Sequence, residues 1–148
     1  RTSMDPVLNL WYNIMTIKAG QIKTGATDKV SKTTGTTTTP TFMGDSLTSA
    51  ILNILGTSFK DTIKMIFTKR EAKPSSSSPD GHSQRRGSVT IHQPIESSSG
   101  EIVMNTARIT ISRSIDSTTA QTTELLSLAA QVIDDADYEE FWHSLSLN

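Results

Sequence analysis

The chain has 148 residues, a formal net charge of −1, 34% apolar and 5% aromatic residues, and no cysteine. That length carries one domain of ordinary size rather than two independent cores, and the low apolar fraction leaves a lone domain short of core, which a partner subunit could supply. The charge balance excludes a uniformly basic nucleic-acid binder, the missing cysteines exclude a disulfide framework and thiolate chemistry, and no apolar run is long enough to span a bilayer.

Arg1 to Ser3, ahead of Met4, read as a remnant of cloning, and the N-terminus lacks the charged-then-apolar order of a signal peptide. A soluble, non-secreted chain is expected. Residues 1–20 read as an N-terminal β arm: between Val7 and Lys18, Leu8, Leu10, Tyr12 and Ile14 fall on one side and Trp11, Met15 and Ile17 on the other, and burial of both sides suggests an interface. Residues 21–45, rich in Thr, Gly and Lys, read as an extended, irregular connector. Asp45 or Ser46 then has the look of a helix N-cap, with Leu47, Ala50, Ile51, Ile54 and Leu55 at helical spacing and Gly56 as a stop. A short helix is predicted there, although the same residues can form a twisted strand.

Three segments with a period of two follow, within a sheet region spanning 46–115. In the first, Ile63, Met65 and Phe67 alternate with Thr62, Lys64 and Thr68, with Ile66 the one break on the polar side. In the second, Val89 and Ile91 alternate with Ser88, Thr90 and His92, and in the third Ala107, Ile109 and Ile111 alternate with Arg108, Thr110, Ser112 and Ser114. Such alternation marks half-buried strands, because successive side chains leave opposite faces of the pleat. The intervening Glu71 to Gln84 stretch reads as an exposed hairpin loop long enough to be mobile, and Ile95 to Gly100 as a shorter serine-rich connector. Glu101 to Met104 leads into the last strand.

The period then changes. Asp116 or Ser117 can cap a helix whose stripe is Leu125, Leu128, Ala129, Val132 and Ile133, and Asp134 to Asp137 breaks it and caps a second short helix bearing Tyr138, Phe141, Trp142 and Leu145. These helices, within 116–148, would cover the apolar sheet face in the same chain or in a twin. The fold class is therefore α+β: one domain over 1–148, an antiparallel sheet followed by two C-terminal helices.

Constellations for catalysis, cofactors or metals are absent or weak. His82, His92 and His143 lack ligand spacing, the acidic run from Asp134 to Glu140 lacks the turn glycine and closing carboxylate of a calcium loop, and no phosphate loop or strained nucleophile turn is present. No catalytic residue, metal site or small-molecule substrate is assigned, and a hydrolase using Asp/Glu with His92 is a distant third reading. Arg85-Arg86-Gly87-Ser88 fits a basophilic kinase, which makes a small intracellular interaction domain switched by phosphorylation at Ser88 the alternative function. The stronger candidate is the polar sheet face, where Lys64, Thr90, His92, Arg108, Thr110 and Ser112 on neighbouring strands would offer cations to phosphates and hydroxyls and imidazole to splayed bases. A wetted face with nothing bound is the bland alternative.

The order of parts resembles the coat proteins of the single-stranded RNA bacteriophages, the levivirus type. Ala107-Arg108-Ile109-Thr110-Ile111-Ser112-Arg113-Ser114, the turn Ile115 to Thr119 and the helix from Glu124 to Ala130 are similar to that family's last strand, turn and first helix, and Lys60 to Lys69 and Arg86 to Gln93 take the places of two earlier strands. The similarity covers roughly Asp61 to Asn148. It implies an intertwined homodimer with each subunit's helices over its partner's sheet, a joined sheet turning its polar face to single-stranded RNA and an RNA hairpin, and an icosahedral shell formed in the host cytoplasm as a virion. It implies an RNA-facing role for Lys64, Thr90, Arg108 and Thr110, and dimer-to-dimer contacts by the Glu71 to Gln84 or Ser97 to Gly100 loop. The helix predicted at Ser46 to Leu55, the threonine-rich connector and the long hairpin depart from the pattern, so general RNA packaging is expected ahead of sequence-specific hairpin binding.

Overall fold

A computed structural model describes residues 17, 20–27, 29–30 and 33–147. The predicted β arm at 1–20 lies almost wholly outside the described residues. Among the described residues, seven strands precede the helices: β1 (Ile22–Thr24), β2 (Thr36–Thr38), β3 (Thr41–Asp45), β4 (Ser49–Leu55), β5 (Ile63–Arg70), β6 (Arg85–Glu96) and β7 (Ile102–Arg113). Strands β3 to β7 form one antiparallel meander in chain order, and β1 pairs with β2 in a separate hairpin.

Two predicted elements are corrected. The irregular connector contains β1, β2 and β3, and its threonines serve as cross-strand partners: Thr24 and Thr38 share a hydroxyl bond of 3.0 Å. The helix predicted over Ser46 to Leu55 is instead a tight turn followed by β4. The amide of Ser46 donates to the Ser49 carbonyl at 2.8 Å, closing the β3–β4 hairpin rather than capping a helix. Leu52 and Ile54, two residues apart, are both buried, so burial in this segment follows a strand's period. Gly56 begins the β4–β5 turn at φ 88°, where a Cβ would lie 2.3 Å from the Asp61 carbonyl oxygen.

The three alternating segments form strands as predicted, each longer than its periodic stretch. Their register sorts the side chains cleanly, because directly opposed residues share a face. On one face lie Ala50, Phe67, Val89 and Ile109 in one row and Leu52, Met65, Ile91 and Ala107 in the next. The β1–β2 hairpin reaches over one end of this apolar face, where Ile22 and Thr24 line a cavity with Ile54, Ile63, Ile91 and Ala107.

The C-terminal helices are α1 (Thr119–Asp134) and α2 (Glu139–Ser144), joined through a 3-10 turn at Ala136–Tyr138. The cap of α1 is Thr118 rather than Asp116 or Ser117. Its hydroxyl accepts from the Gln121 amide at 3.2 Å while the Gln121 side chain accepts from the Thr118 amide at 2.9 Å, a reciprocal box that satisfies two orphan donors. Asp135 caps the next turn by accepting from the Asp137 amide at 2.9 Å. The Trp142 indole donates to the Val132 carbonyl at 3.0 Å and folds α2 back on α1. No residue of either helix is buried: Leu125, Leu128, Val132, Phe141 and Trp142 are all exposed.

Candidate nucleic-acid interface

The opposite face of the sheet carries four rungs across β5, β6 and β7, beyond which β6 and β7 alone continue it as Pro94–Met104 and Glu96–Ile102. The four rungs read Lys64–His92–Thr106, Ile66–Thr90–Arg108, Thr68–Ser88–Thr110 and Arg70–Arg86–Ser112. Rungs on one face follow at two-residue intervals, about 7 Å apart. All six residues singled out from the sequence, Lys64, Thr90, His92, Arg108, Thr110 and Ser112, therefore share a face. Thr90, His92, Arg108 and Thr110 line a shallow groove of about 420 Å³ together with Ile66, Thr68, Arg86 and Ser88. Lys64 and Ser112 stand in the rungs at its two ends.

Hydroxyls lock the rungs. Arg108 Nε donates to Thr90 Oγ1 at 3.4 Å, Arg86 Nε donates to Ser112 Oγ at 3.0 Å, and Ser88 and Thr110 share a hydroxyl bond of 3.0 Å. His92 Nδ1 lies 3.3 Å from Thr106 Oγ1. Thr90, at the centre, is buried, whereas Lys64, Arg70, Arg86 and Arg108 are exposed. Both arginines are steered through Nε, so each presents the outer edge of its guanidinium, which suits bidentate recognition of an anion.

Four cations stand on these rungs and no carboxylate does. Among the described residues none of the four forms an ion pair; the pairs that do form involve Lys29, Lys69, Arg85 and His143. Arg70 and Arg86 even oppose each other directly, an arrangement that like charges disfavour in the absence of an anion. Ile66 supplies an apolar floor beside Thr90. Cations at the rim, hydroxyls and imidazole in the middle and an apolar patch beneath them are what a phosphate chain with unstacked bases requires.

Arg70, Arg86, Thr68 and Ser88 were not among the residues picked from the sequence. Their signal was present as parity: each lies an even number of positions from Lys64 or Thr90 on its own strand. Arg70 and Arg86 were missed because the strands run further than their clean alternation, whereas Thr68 and Ser88 stood on the polar side of that alternation and were passed over. Ser88 sits in mid-strand, paired with Thr68 on one side and Thr110 on the other, and is half-buried. A kinase would have to unzip β6 from both neighbours to reach it, which removes the main support for the phosphorylation-switch reading. His92 has no carboxylate in its rung or the next, so the arrangement a hydrolase would need is not formed there.

No protein-family model matches the sequence, and no curated protein does. Solved structures do match. The virus-like particle of bacteriophage GQ-907 aligns with 27% identity and a TM-score of 0.70, over 90% of this chain and 100% of that one. This chain has the fold of a levivirus-type coat protein. The virus-like particle of bacteriophage AVE019, at 12% identity and a TM-score of 0.64 over 87% of this chain and 97% of that one, shares the architecture. So does that of Beihai levi-like virus 21, at 14% identity and a TM-score of 0.62, over 86% of this chain and 94% of that one. A five-stranded antiparallel meander followed by two helices is thus the coat-protein arrangement, and these neighbours are structural rather than enzymatic proteins.

Proposed function

We propose that the protein is the coat protein of a single-stranded RNA bacteriophage, assembling as homodimers into an icosahedral shell around RNA held against the rung face. The virion, formed in the host cytoplasm, is its place of action. The observation that carries the reading is two-sided: the helices bury none of their residues in their own chain, while the sheet leaves Ile109 and Ala107 exposed on the apolar face.

The apolar groove has the right lining for a second copy's helix. About 550 Å³ in volume, it is walled by Ala50, Phe67, Val89, Ile109 and Ile111, with Leu126 of α1 at its rim. Strand β7 ends the sheet with a twelve-residue edge, and pairing two such edges antiparallel would join two sheets and two rung faces. RNA binding is electrostatic and largely independent of sequence, with Lys64, Arg70, Arg86 and Arg108 meeting phosphates and Thr90, His92, Thr110 and Ser112 meeting sugar and base edges. Hairpin recognition is secondary to packaging.

Size exclusion of the purified protein tests the reading. A megadalton particle carrying nuclease-protected RNA supports it, and Arg108→Ala is expected to lower the RNA content per particle. A stable monomer free of RNA discards it.

A further inference from the structure

Five residues, Ser114 to Thr118, carry the chain from the end of β7 to α1, and they leave little slack. The Asp116 amide donates to Ser114 Oγ at 3.1 Å, the Ser117 amide donates to the Ser114 carbonyl at 3.2 Å, and the box at Thr118 starts the helix. Ser114 is thus the pivot of the junction. Its own hydroxyl proton goes to the carboxylate of Asp80, 34 residues earlier, at the tip of the β5–β6 loop.

That loop is built to hold Asp80 still. Although expected to be mobile, it continues the hairpin: Pro74 bridges to His82, the Ser75 amide donates to the Gly81 carbonyl at 2.9 Å, and the Ser83 amide donates to the Lys73 carbonyl at 2.8 Å. The His82 amide donates to the second oxygen of Asp80 at 3.2 Å, and the His82 ring lies 3.3 Å from the Asp80 carbonyl oxygen. Both carboxylate oxygens are therefore used, one to orient the group and one to grip the junction. The Ser114 hydroxyl bond is also the main reason that Asp80 ionises more readily than an ordinary carboxyl group.

Little else fixes the direction of α1. Among the described residues, the remaining polar ties from either helix to the rest of the chain are Arg113 Nη1 donating to Thr122 Oγ1 at 3.4 Å and a 3.8 Å pair between Lys29 and Glu139. With none of its side chains buried, and only Thr122 and Leu126 of its residues lining the grooves beside β7, α1 takes its angle mainly from the junction. We propose that Asp80 is a positioning residue for assembly: by gripping Ser114 it sets the angle at which α1 leaves β7, and so presents that helix to a second copy of the chain. The inference rests on the coat-protein reading, in which α1 lies on a partner's sheet. It assigns the long serine-rich hairpin a role as a strut at the base of the helix. Pre-setting the angle removes a conformational cost that pairing would otherwise have to meet.

The test compares Asp80→Asn, Ser114→Ala, Ser114→Thr and Asp61→Asn in the full chain, by sedimentation of the two-chain unit across a dilution series and by hydrogen exchange of the first turns of α1. Ser114→Ala and Asp80→Asn are expected to weaken pairing about tenfold and to speed exchange at residues 119–125, in line with loss of a charge-assisted hydrogen bond. Ser114→Thr, which keeps the hydroxyl, should stay within about twofold of the parent. Asp61→Asn removes a carboxylate from the β4–β5 turn and should leave pairing unchanged. Pairing unaltered in both Asp80→Asn and Ser114→Ala overturns the proposal, whether or not exchange changes. Should Asp80→Asn fail to fold by circular dichroism, Ser114→Ala decides alone. A parent protein that is monomeric at every concentration overturns the coat-protein reading instead, and exchange then still reports on the grip itself.

Discussion

Arg85 and Arg86 are neighbours in sequence and sit on opposite faces of the sheet, which makes them a sharp test of the proposal that the rung face meets RNA. Arg86 stands in the rung with Arg70 and Ser112, while Arg85 opposes Arg113 and pairs with Glu71 at 3.1 Å. With four rung cations on each of two chains, single-stranded RNA held against all of them gives a slope of log affinity against log salt of about −5.6. Arg86→Ala removes one cation per chain and leaves about −4.2. Between about 50 and about 200 mM salt, the parent then loses about 2,000-fold in affinity and the variant about 300-fold. Arg85→Ala keeps the parent's slope. Fluorescence anisotropy of a labelled single-stranded RNA, titrated with the two-chain unit at several salt concentrations, reads both slopes. Equal slopes for the two variants, or a smaller slope for Arg85→Ala, would refute the assignment of the rung face to RNA.

Other outcomes follow from the fold. Gly56→Ala should destabilise by about 3 kcal/mol or more in urea unfolding, since it combines a left-handed backbone with a Cβ driven onto the Asp61 carbonyl, whereas Gly81→Ala, also at positive φ but with open space around it, should lose only about 1 kcal/mol. Leu52→Ala, at the fully buried position, should lose about 3 kcal/mol by the same measurement. Asp61 and Asp80 are both held below the ordinary carboxylate value of 3.8, Asp61 chiefly by the Ser58 amide and Asp80 chiefly by the Ser114 hydroxyl. Because their folded values are depressed, the stability they contribute is complete above the ordinary value and is lost as pH falls through the lower folded one. Carboxyl NMR titration should find both below 3.8, with Ser114→Ala moving Asp80 upward and leaving Asp61 in place.

The sheet was legible because β5, β6 and β7 each keep their apolar side chains on one face. Met65, Phe67, Val89, Ile91, Ala107 and Ile109 keep strict parity, so parity alone assigned Lys64, Thr90 and Arg108 to the other side. Legibility failed where burial is not one-sided. In β4, Ile51 faces the rung side while Ala50 and Leu52 face the apolar side, and the resulting continuous apolar run imitates a helical stripe. The threonines of β1 and β2 carry no hydrophobic signal, because their pairing rests on backbone and hydroxyl bonds. Arg70 and Arg86 escaped because β5 and β6 extend past their alternating centres into charged ends. The grip of Asp80 on Ser114 joins residues 34 apart through one side-chain contact, which no local pattern can announce.

Electron cryomicroscopy of the purified particle tests the central claim most directly. A closed shell is expected, with α1 of one chain seated in the neighbour's groove between Phe67, Val89 and Ile109, and RNA density against Thr90, Arg86 and Arg108 on the inner surface. Helices folded back over their own sheet, or nucleic acid lying against the apolar face while the rungs point outward, would contradict it.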